Sequence, residues 1–440
     1  MSKSEASNPP RSRVSRHKSR HVAELSNVPL IGRTALASRV QETASKAPPT
    51  KFPNLIAFLE FWKWIVPYLR DCTRPAWPYQ TYPVGKTGVF DLTLVAQNGP
   101  LTMAVAGDWG TGTLEADTVA SNIKACSPHC TLHLGDVYYM GEATEISENC
   151  LGTPTSNYIG VYWPYGSLGS FALMGNHEMY SGGEGYFQKF LPRLGLFDPS
   201  GTVREPQSAS YFCINTPHWL VLGLDTGYHS GGMPWLTNVS GINAIPFLNV
   251  NARFDEKLMT WLNQLAQTLK ANGSAKKSVL VLTHHQPISS FEHAFSKPVK
   301  QLAKWDFLHG KEFVWLYGHE HRLTVYGKRN IANSLRVYPR CIGHGGMPVK
   351  VTKLTRPDSN ILFYDPRQHP IDKDHPDKLI GYNGHIVLKF KDTSLMIEYH
   401  DIADNKLLLT ETFTPNDSGA LEHLYSRPSD SSLFSGQQTS

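Results

Sequence analysis

The chain has 440 residues, 40% of them apolar and 18% charged, a globular composition with enough length for one large or two ordinary domains. Its net charge of +5 is concentrated at the start, because residues 1–50 carry nine Lys or Arg against three Asp or Glu and the remainder is almost balanced. That balance argues against a broad nucleic-acid surface on the folded body, and the six unevenly spaced cysteines give no legible disulfide framework.

Residues 1–50 are rich in Ser, Arg and Pro and show no sustained period, so a disordered basic arm is expected, either simply solvated or tethering nucleic acid or an anionic membrane. An extension is expected over 51–98. Within it Leu55, Phe58, Leu59, Trp62 and Ile65 recur at helical spacing and predict an amphipathic helix. Glu60, Lys63 and Pro67 make that stretch too polar and too short to span a bilayer, which needs roughly 20 apolar residues. With no signal-peptide-like apolar run at the start, a cytoplasmic location is expected.

Strand-like runs then follow at Phe90–Ala96, Leu101–Ala106, Cys130–Leu134, Ser170–Met174, Ser210–Ile214, Trp219–Leu224, Ser278–Leu282 and Phe313–Tyr317. Leu323–Tyr326, Arg336–Ile342, His385–Lys391, Ser394–His400 and Leu407–Glu411 continue the series. Helical patterns at Leu114–Ala125, Gly185–Leu191 and Phe254–Lys270 lie between them. Alternating strands and helices followed by a strand-rich end predict an α/β fold, a two-sheet β-sandwich flanked by helices, over 99–413. The Ser/Pro-rich stretch 414–440 is expected to be a disordered tail.

Five polar clusters punctuate this pattern, most of them directly after a strand-like run. They are Gly107-Asp108-Trp109-Gly110, Gly135-Asp136-Val137-Tyr138-Tyr139, Gly175-Asn176-His177-Glu178, Thr283-His284-His285 and Gly318-His319-Glu320-His321. In open α/β sheets the loops beyond the carboxyl ends of strands converge, so residues far apart in sequence meet in one cleft. Together the clusters offer carboxylate, amide and imidazole donors, a mixed set that suits Zn, Fe, Mn or Co better than Ca or Mg. Two such ions about 3.5–4 Å apart hold and activate a water for attack at phosphorus. Either His284 or His285 could face the ions, with strand phase favouring His284. His133 alternates with Leu132 and Leu134 and reads as a core or supporting residue. His229 stands at a strand end, and His344 in a glycine-rich loop. Cys126 and Cys130 bracket a histidine but have no second ligand pair, and read as free thiols.

The five blocks resemble those of the calcineurin-like metallophosphoesterase superfamily and, within it, the purple acid phosphatases. The superfamily's usual first block is Asp-x-His; here it reads Asp108-Trp109-Gly110. Purple acid phosphatases share that glycine and supply a tyrosine three residues after the bridging aspartate, which here is Tyr139. The resemblance implies the four-layer metallophosphoesterase fold. It implies two metal ions, Fe plus Zn, Mn or Fe, one held by Asp108, Tyr139 and His321, the other by Asn176, His284 and His319, with Asp136 bridging. His177 would face the phosphate. His293, with Glu292 orienting it, matches a Glu-His pair of the small mammalian-type enzymes and would serve the leaving group. The implied reaction is hydrolysis of a phosphorylated small molecule or other phosphoester by a metal-bound hydroxide. A phosphodiesterase or nuclease is the alternative, and a non-catalytic binding module a more distant one.

Overall fold

Two sheets of nine strands each face one another among the described residues. The computed structural model describes residues 75–427, without 155–159, 232–250, 371–375 and positions 333, 350, 352, 353, 355–357 and 378. The expected basic arm, the amphipathic helix and the end of the chain beyond 427 lie outside the described residues.

The first sheet runs Val89–Asp91, Phe212–Asn215, Trp219–Gly223, Ser278–Thr283, Glu312–Tyr317, Leu335–Ile342, Leu323–Tyr326 and Ile361–Tyr364, with Arg329–Ile331 pairing beside Leu335–Ile342. The second runs Leu421–Ser426, Leu407–Pro415, Ser394–Asp401, Gly384–Lys391, Leu101–Ala106, Cys130–His133, Gly169–Ala172, Gly195–Phe197 and Val203–Pro206. The middle of each sheet is parallel. Ala106 lies opposite His133 and His133 opposite Ala172, while Gly223, Leu282, Leu316 and Arg340 fall in register across the other sheet. Strand ends that carry the polar clusters therefore come out level.

Side-chain alternation explains the layering. Met103, Val105, Leu280, Leu282, Val314 and Leu316 point into one core between the sheets. Their neighbours point outward: Ala104 and Ala106 meet Ala116, Val119 and Ile123 of helix Leu114–Ala125. Val279, Val281, Phe313 and Trp315 meet Leu258, Leu262 and Leu265 of helix Glu256–Ala271. In the parallel middle of each sheet both faces are buried, as strands with near-continuous apolar runs require. Each helix starts on a side-chain cap, Thr113 accepting from the Ala116 N–H at 3.3 Å and Asp255 from the Lys257 N–H at 2.9 Å.

Three expectations change. The run Phe90–Ala96 is a strand only to Asp91, which pairs at the edge of the first sheet. There the Asp91 side chain accepts the Thr93 N–H at 2.9 Å and turns the chain into a short helix, Thr93–Gln97. The described part of the expected extension is thus an edge of the body itself. The tail expected from 414 instead continues strand Leu407–Pro415 and adds Leu421–Ser426. The turn between them is fixed by Asn416, whose side-chain oxygen accepts the N–H groups of Ser418 and Ala420, each at 3.1 Å. Gly185–Leu191 is π-helical over Tyr186–Phe190. Two short helices gave no sequence signal, Ala143–Asn149 and Ser296–Leu302. Cys126, Cys130, Cys150, Cys213 and Cys341 are free thiols. No helix among the described residues is long and apolar enough to cross a membrane.

Candidate metal centre

The five clusters meet at the carboxyl ends of the parallel strands. Asp108, Asp136 and His319 all take left-handed backbone angles, with φ of 57°, 70° and 67°. Such angles are costly for residues other than glycine and concentrate where a side chain must be aimed. Two glycines make the convergence possible. A side chain at Gly175 would strike the Asp136 carboxylate and one at Gly318 the Asp108 carboxylate.

Asp136 sits at the middle, buried. Its Oδ1 lies 3.3 Å from His284 Nε2 and accepts the His177 N–H at 3.1 Å. Its Oδ2 accepts a tyrosine hydroxyl at 3.1 Å. That hydroxyl belongs to Tyr138, not to the expected Tyr139. Tyr138 Oη also donates to Asp108 Oδ1 at 2.9 Å and stands 3.0 Å from His321 Nε2, which in turn is 3.6 Å from Asp108 Oδ1. Tyr139 packs instead against Met140 and Tyr180. The Tyr138 N–H and C=O are taken by Gly110 and the Asn149 side chain at 2.8 Å each. Glu145, from one of the helices missed in the sequence, accepts the N–H groups of Tyr139 and Met140 at 2.6 and 2.8 Å.

On the other side His284 donates its Nδ1–H to the Leu134 carbonyl at 2.9 Å. Its Nε2 then converges with Asn176 Oδ1 and His319 Nδ1, both at 3.2 Å, and with Asp136. The Asn176 amide is oriented by its Nδ2 donating to Tyr180 Oη at 2.8 Å. His285 turns away to Thr226, which lies 3.0 Å from its Nδ1, so of the two candidates it is His284 that joins Asp136. The His285 ring still lies 4.6 Å from that of His319, and its buried Nε2 makes no hydrogen bond.

Burial and neighbouring charges shift the groups of this cluster in opposite directions. Burial pushes the Asp108 carboxyl up to about 8, with His284 pulling against it and Asp136 adding to the rise. Burial would also raise Asp136, but the imidazoles of His284 and His177 outweigh it and hold that carboxylate well below its usual range. Burial alone would lower His284, yet Asp136 and Asp108 carry it up to about 9. Burial and Asp136 lift Glu178 to about 8; its carboxylate accepts the N–H groups of Gly175 and Asp136 at 2.9 and 3.2 Å. Ligand atoms of Asp108, Asp136 and His284 lie within 4.8 Å of one another, as do those of His284, His285 and His319. A dense, buried set of acceptors of this kind suits cations.

His177 occupies the open side, its side chain 18% exposed. It donates Nδ1–H to the Tyr139 carbonyl at 2.5 Å, which leaves Nε2 toward the cluster, 3.8 Å from Asp136 Oδ2. His293 is exposed at the rim, its ring against Phe295, whose ring packs on His319. The Glu292 carboxylate lies 3.5 Å from the Arg322 guanidinium. Of the remaining histidines, His133 takes the Gly135 N–H at 3.1 Å and is walled by Trp109, Trp163 and Phe190. His229 pairs with the helix-capping Asp255 at 2.8 Å, away from the cluster. His344 is buried in a loop whose neighbour Gly345 donates to the Gly107 carbonyl at 2.9 Å, closing one wall behind Asp108.

A family model for calcineurin-like phosphoesterases matches residues 101–323, half of the chain, and spans all five clusters. The chain belongs to the calcineurin-like phosphoesterase family. No curated protein matches this phosphoesterase. Among solved structures it is similar to GAP50, the anchor in the inner membrane complex of Plasmodium, at 15% identity over 71% of this chain and 87% of that one, TM-score 0.42. It is similar to a purple acid phosphatase from yellow lupin seeds at 14% identity over 71% and 53% of the two chains, TM-score 0.44. A dimetal phosphatase from Danio rerio matches at 11% identity over 74% and 98%, TM-score 0.38.

Proposed function

We propose that this phosphoesterase hydrolyses phosphate esters at a dinuclear metal centre of the purple acid phosphatase type. The observation that carries the reading is the division of Asp136. One carboxylate oxygen faces Tyr138, beside Asp108 and His321, while the other faces His284, beside Asn176 and His319. These are two ligand sets with one carboxylate between them. Asp108, Tyr138 and His321 would hold one ion, Asn176, His284 and His319 the other, and Asp136 both. A tyrosine in the first set favours iron there, with Zn, Mn or Fe in the second. When bound, the pair supplies Lewis acidity and an activated water.

The protein's own groups supply the rest. Asp108 is aimed by the His319 N–H, which it accepts at 2.7 Å, and His284 is held to one tautomer by Leu134. His177, fixed by the Tyr139 carbonyl, directs Nε2 to the open side, where it would stabilise charge developing on the phosphoryl oxygens. His293 at the rim would protonate the leaving oxygen.

Purified protein is expected to contain two transition-metal ions per chain, to lose hydrolysis of p-nitrophenyl phosphate on exhaustive chelation, and to regain it on remetallation. Full turnover by the metal-free protein would overturn the reading. Parallel assays with bis(p-nitrophenyl) phosphate, on the full chain and on a variant lacking residues 1–50, separate monoesterase from diesterase or nuclease activity.

A further inference from the structure

His319 and His321 alternate with Glu320 and Arg322, so when the two imidazoles face the metal cluster the two charged residues face away from it. Both are buried, Glu320 fully and Arg322 to 5% exposure. Behind the turn the Arg322 guanidinium lies 4.0 Å over the Phe291 ring. Its Nη2 is 3.5 Å from Glu292 and its Nε 3.7 Å from Glu320. One planar cation thus serves a ring and two carboxylates at once, a task suited to arginine rather than lysine.

Phe291 and Glu292 belong to the loop 289–295, which also carries His293. Inside that loop the Ser289 hydroxyl accepts the N–H groups of Phe291 and Glu292 at 3.0 and 2.8 Å. Gln286 holds the far side: its Nε2 donates to the His293 carbonyl at 2.7 Å and its own carbonyl accepts the Phe295 N–H at 3.0 Å. The Phe295 ring then rests on His319 and His285, at 5.5 and 4.7 Å between centroids. The loop is therefore attached to the metal-binding turn twice, by Phe295 on the cluster side and by Arg322 from behind.

We infer that Arg322 is a positioning residue that locks the His293-bearing loop to the turn carrying His319 and His321, so that loop and metal ligands keep one relative placement. The inference rests on the proposed role of His293 for its catalytic consequence, though not for the structural one. Misplacing a reacting group by about 1 Å costs on the order of 100-fold, so partial release of the loop is expected to cost about tenfold.

The test is a double-mutant cycle of Arg322→Gln and His293→Ala on the full chain, read as kcat and KM for p-nitrophenyl phosphate, with metal content and amide exchange measured on each protein. The expected result is a fall in kcat of about tenfold for Arg322→Gln, an unchanged KM, two ions still bound, and no further loss when His293 is already alanine. Exchange should rise over 289–295 and not at His284 or His319. Glu292→Gln, which breaks the contact from the loop side only, should act in the same direction and guards against a folding failure of the Arg322 variant. Multiplicative losses, loss of metal, or unchanged exchange in the loop would each overturn the inference. A silent His293→Ala would remove the role proposed for His293, and the exchange data alone would then decide whether Arg322 anchors the loop.

Discussion

Replacing Tyr138 with phenylalanine is expected to cut phosphate-ester turnover by more than about 100-fold, since even partners behind metal ligands typically cost about 10–100-fold. Tyr139→Phe should leave metal content and turnover close to the parent. The contrast follows from the two side chains' surroundings. Tyr138 Oη reaches Asp108, Asp136 and His321, whereas the Tyr139 ring lies with Met140 and Tyr180. Tyr139 still contributes, through its backbone carbonyl to His177, and that contact survives the phenylalanine substitution. If the first ion is ferric, the parent protein absorbs visible light, and the band should vanish in Tyr138→Phe and persist in Tyr139→Phe. Equal losses in the two variants, or loss of the band only in Tyr139→Phe, would return the tyrosine to position 139.

The same pair shows where the sequence was legible and where it was not. Strand ends followed by Gly-Asp, Gly-Asn-His and Gly-His-Glu-His announced where polar side chains would converge, because loops beyond parallel strands meet whatever lies between them. Asp108, Asp136, Asn176, His284, His319 and His321 do meet. The layers were legible for a related reason: alternating apolar residues in strands and helical spacing in Phe254–Lys270 are local signals that tertiary packing reinforces. What was not legible depended on partners distant or polar. That the Tyr138 hydroxyl reaches Asp136 had no local signal, and Glu145 and Asn149, which bond to this stretch of backbone, belong to a helix with no apolar period to reveal it. The approach of the Glu292 carboxylate to Arg322, thirty positions on, gives no local signal either. The strand Leu421–Ser426 was hidden by a polar, proline-bearing approach, and its pairing comes from a neighbour strand and an Asn416 turn rather than from its own pattern.

Glu411→Ala should destabilise the fold by about 3–5 kcal/mol, the usual result of leaving one buried charge without its partner. Glu411 on the second sheet and Arg340 on the first are both fully buried in the layer between them. Arginine Nε and Nη2 donate to the two carboxylate oxygens at 2.7 and 2.5 Å, and Nη1 donates to the Tyr326 and Pro339 carbonyls at 2.5 and 2.8 Å. Tyr399 Oη donates to the carboxylate at 2.6 Å and His423 Nε2 lies 2.7 Å from it. Burial alone would raise the Glu411 pKa, but Arg340 outweighs it and holds the group below its ordinary value. A depressed carboxylate adds stability above its unfolded pKa, about 4.5, and loses it as pH falls through the lower folded value. Urea unfolding of the parent should therefore weaken across that acid range more steeply than that of Glu411→Gln. Substituting both partners, Arg340→Met with Glu411→Leu, should recover part of the loss, because no charge is then left unpaired in the core. A double variant no more stable than Glu411→Ala would mean that the pair is needed for its hydrogen bonds to Tyr399, His423 and the Tyr326 carbonyl.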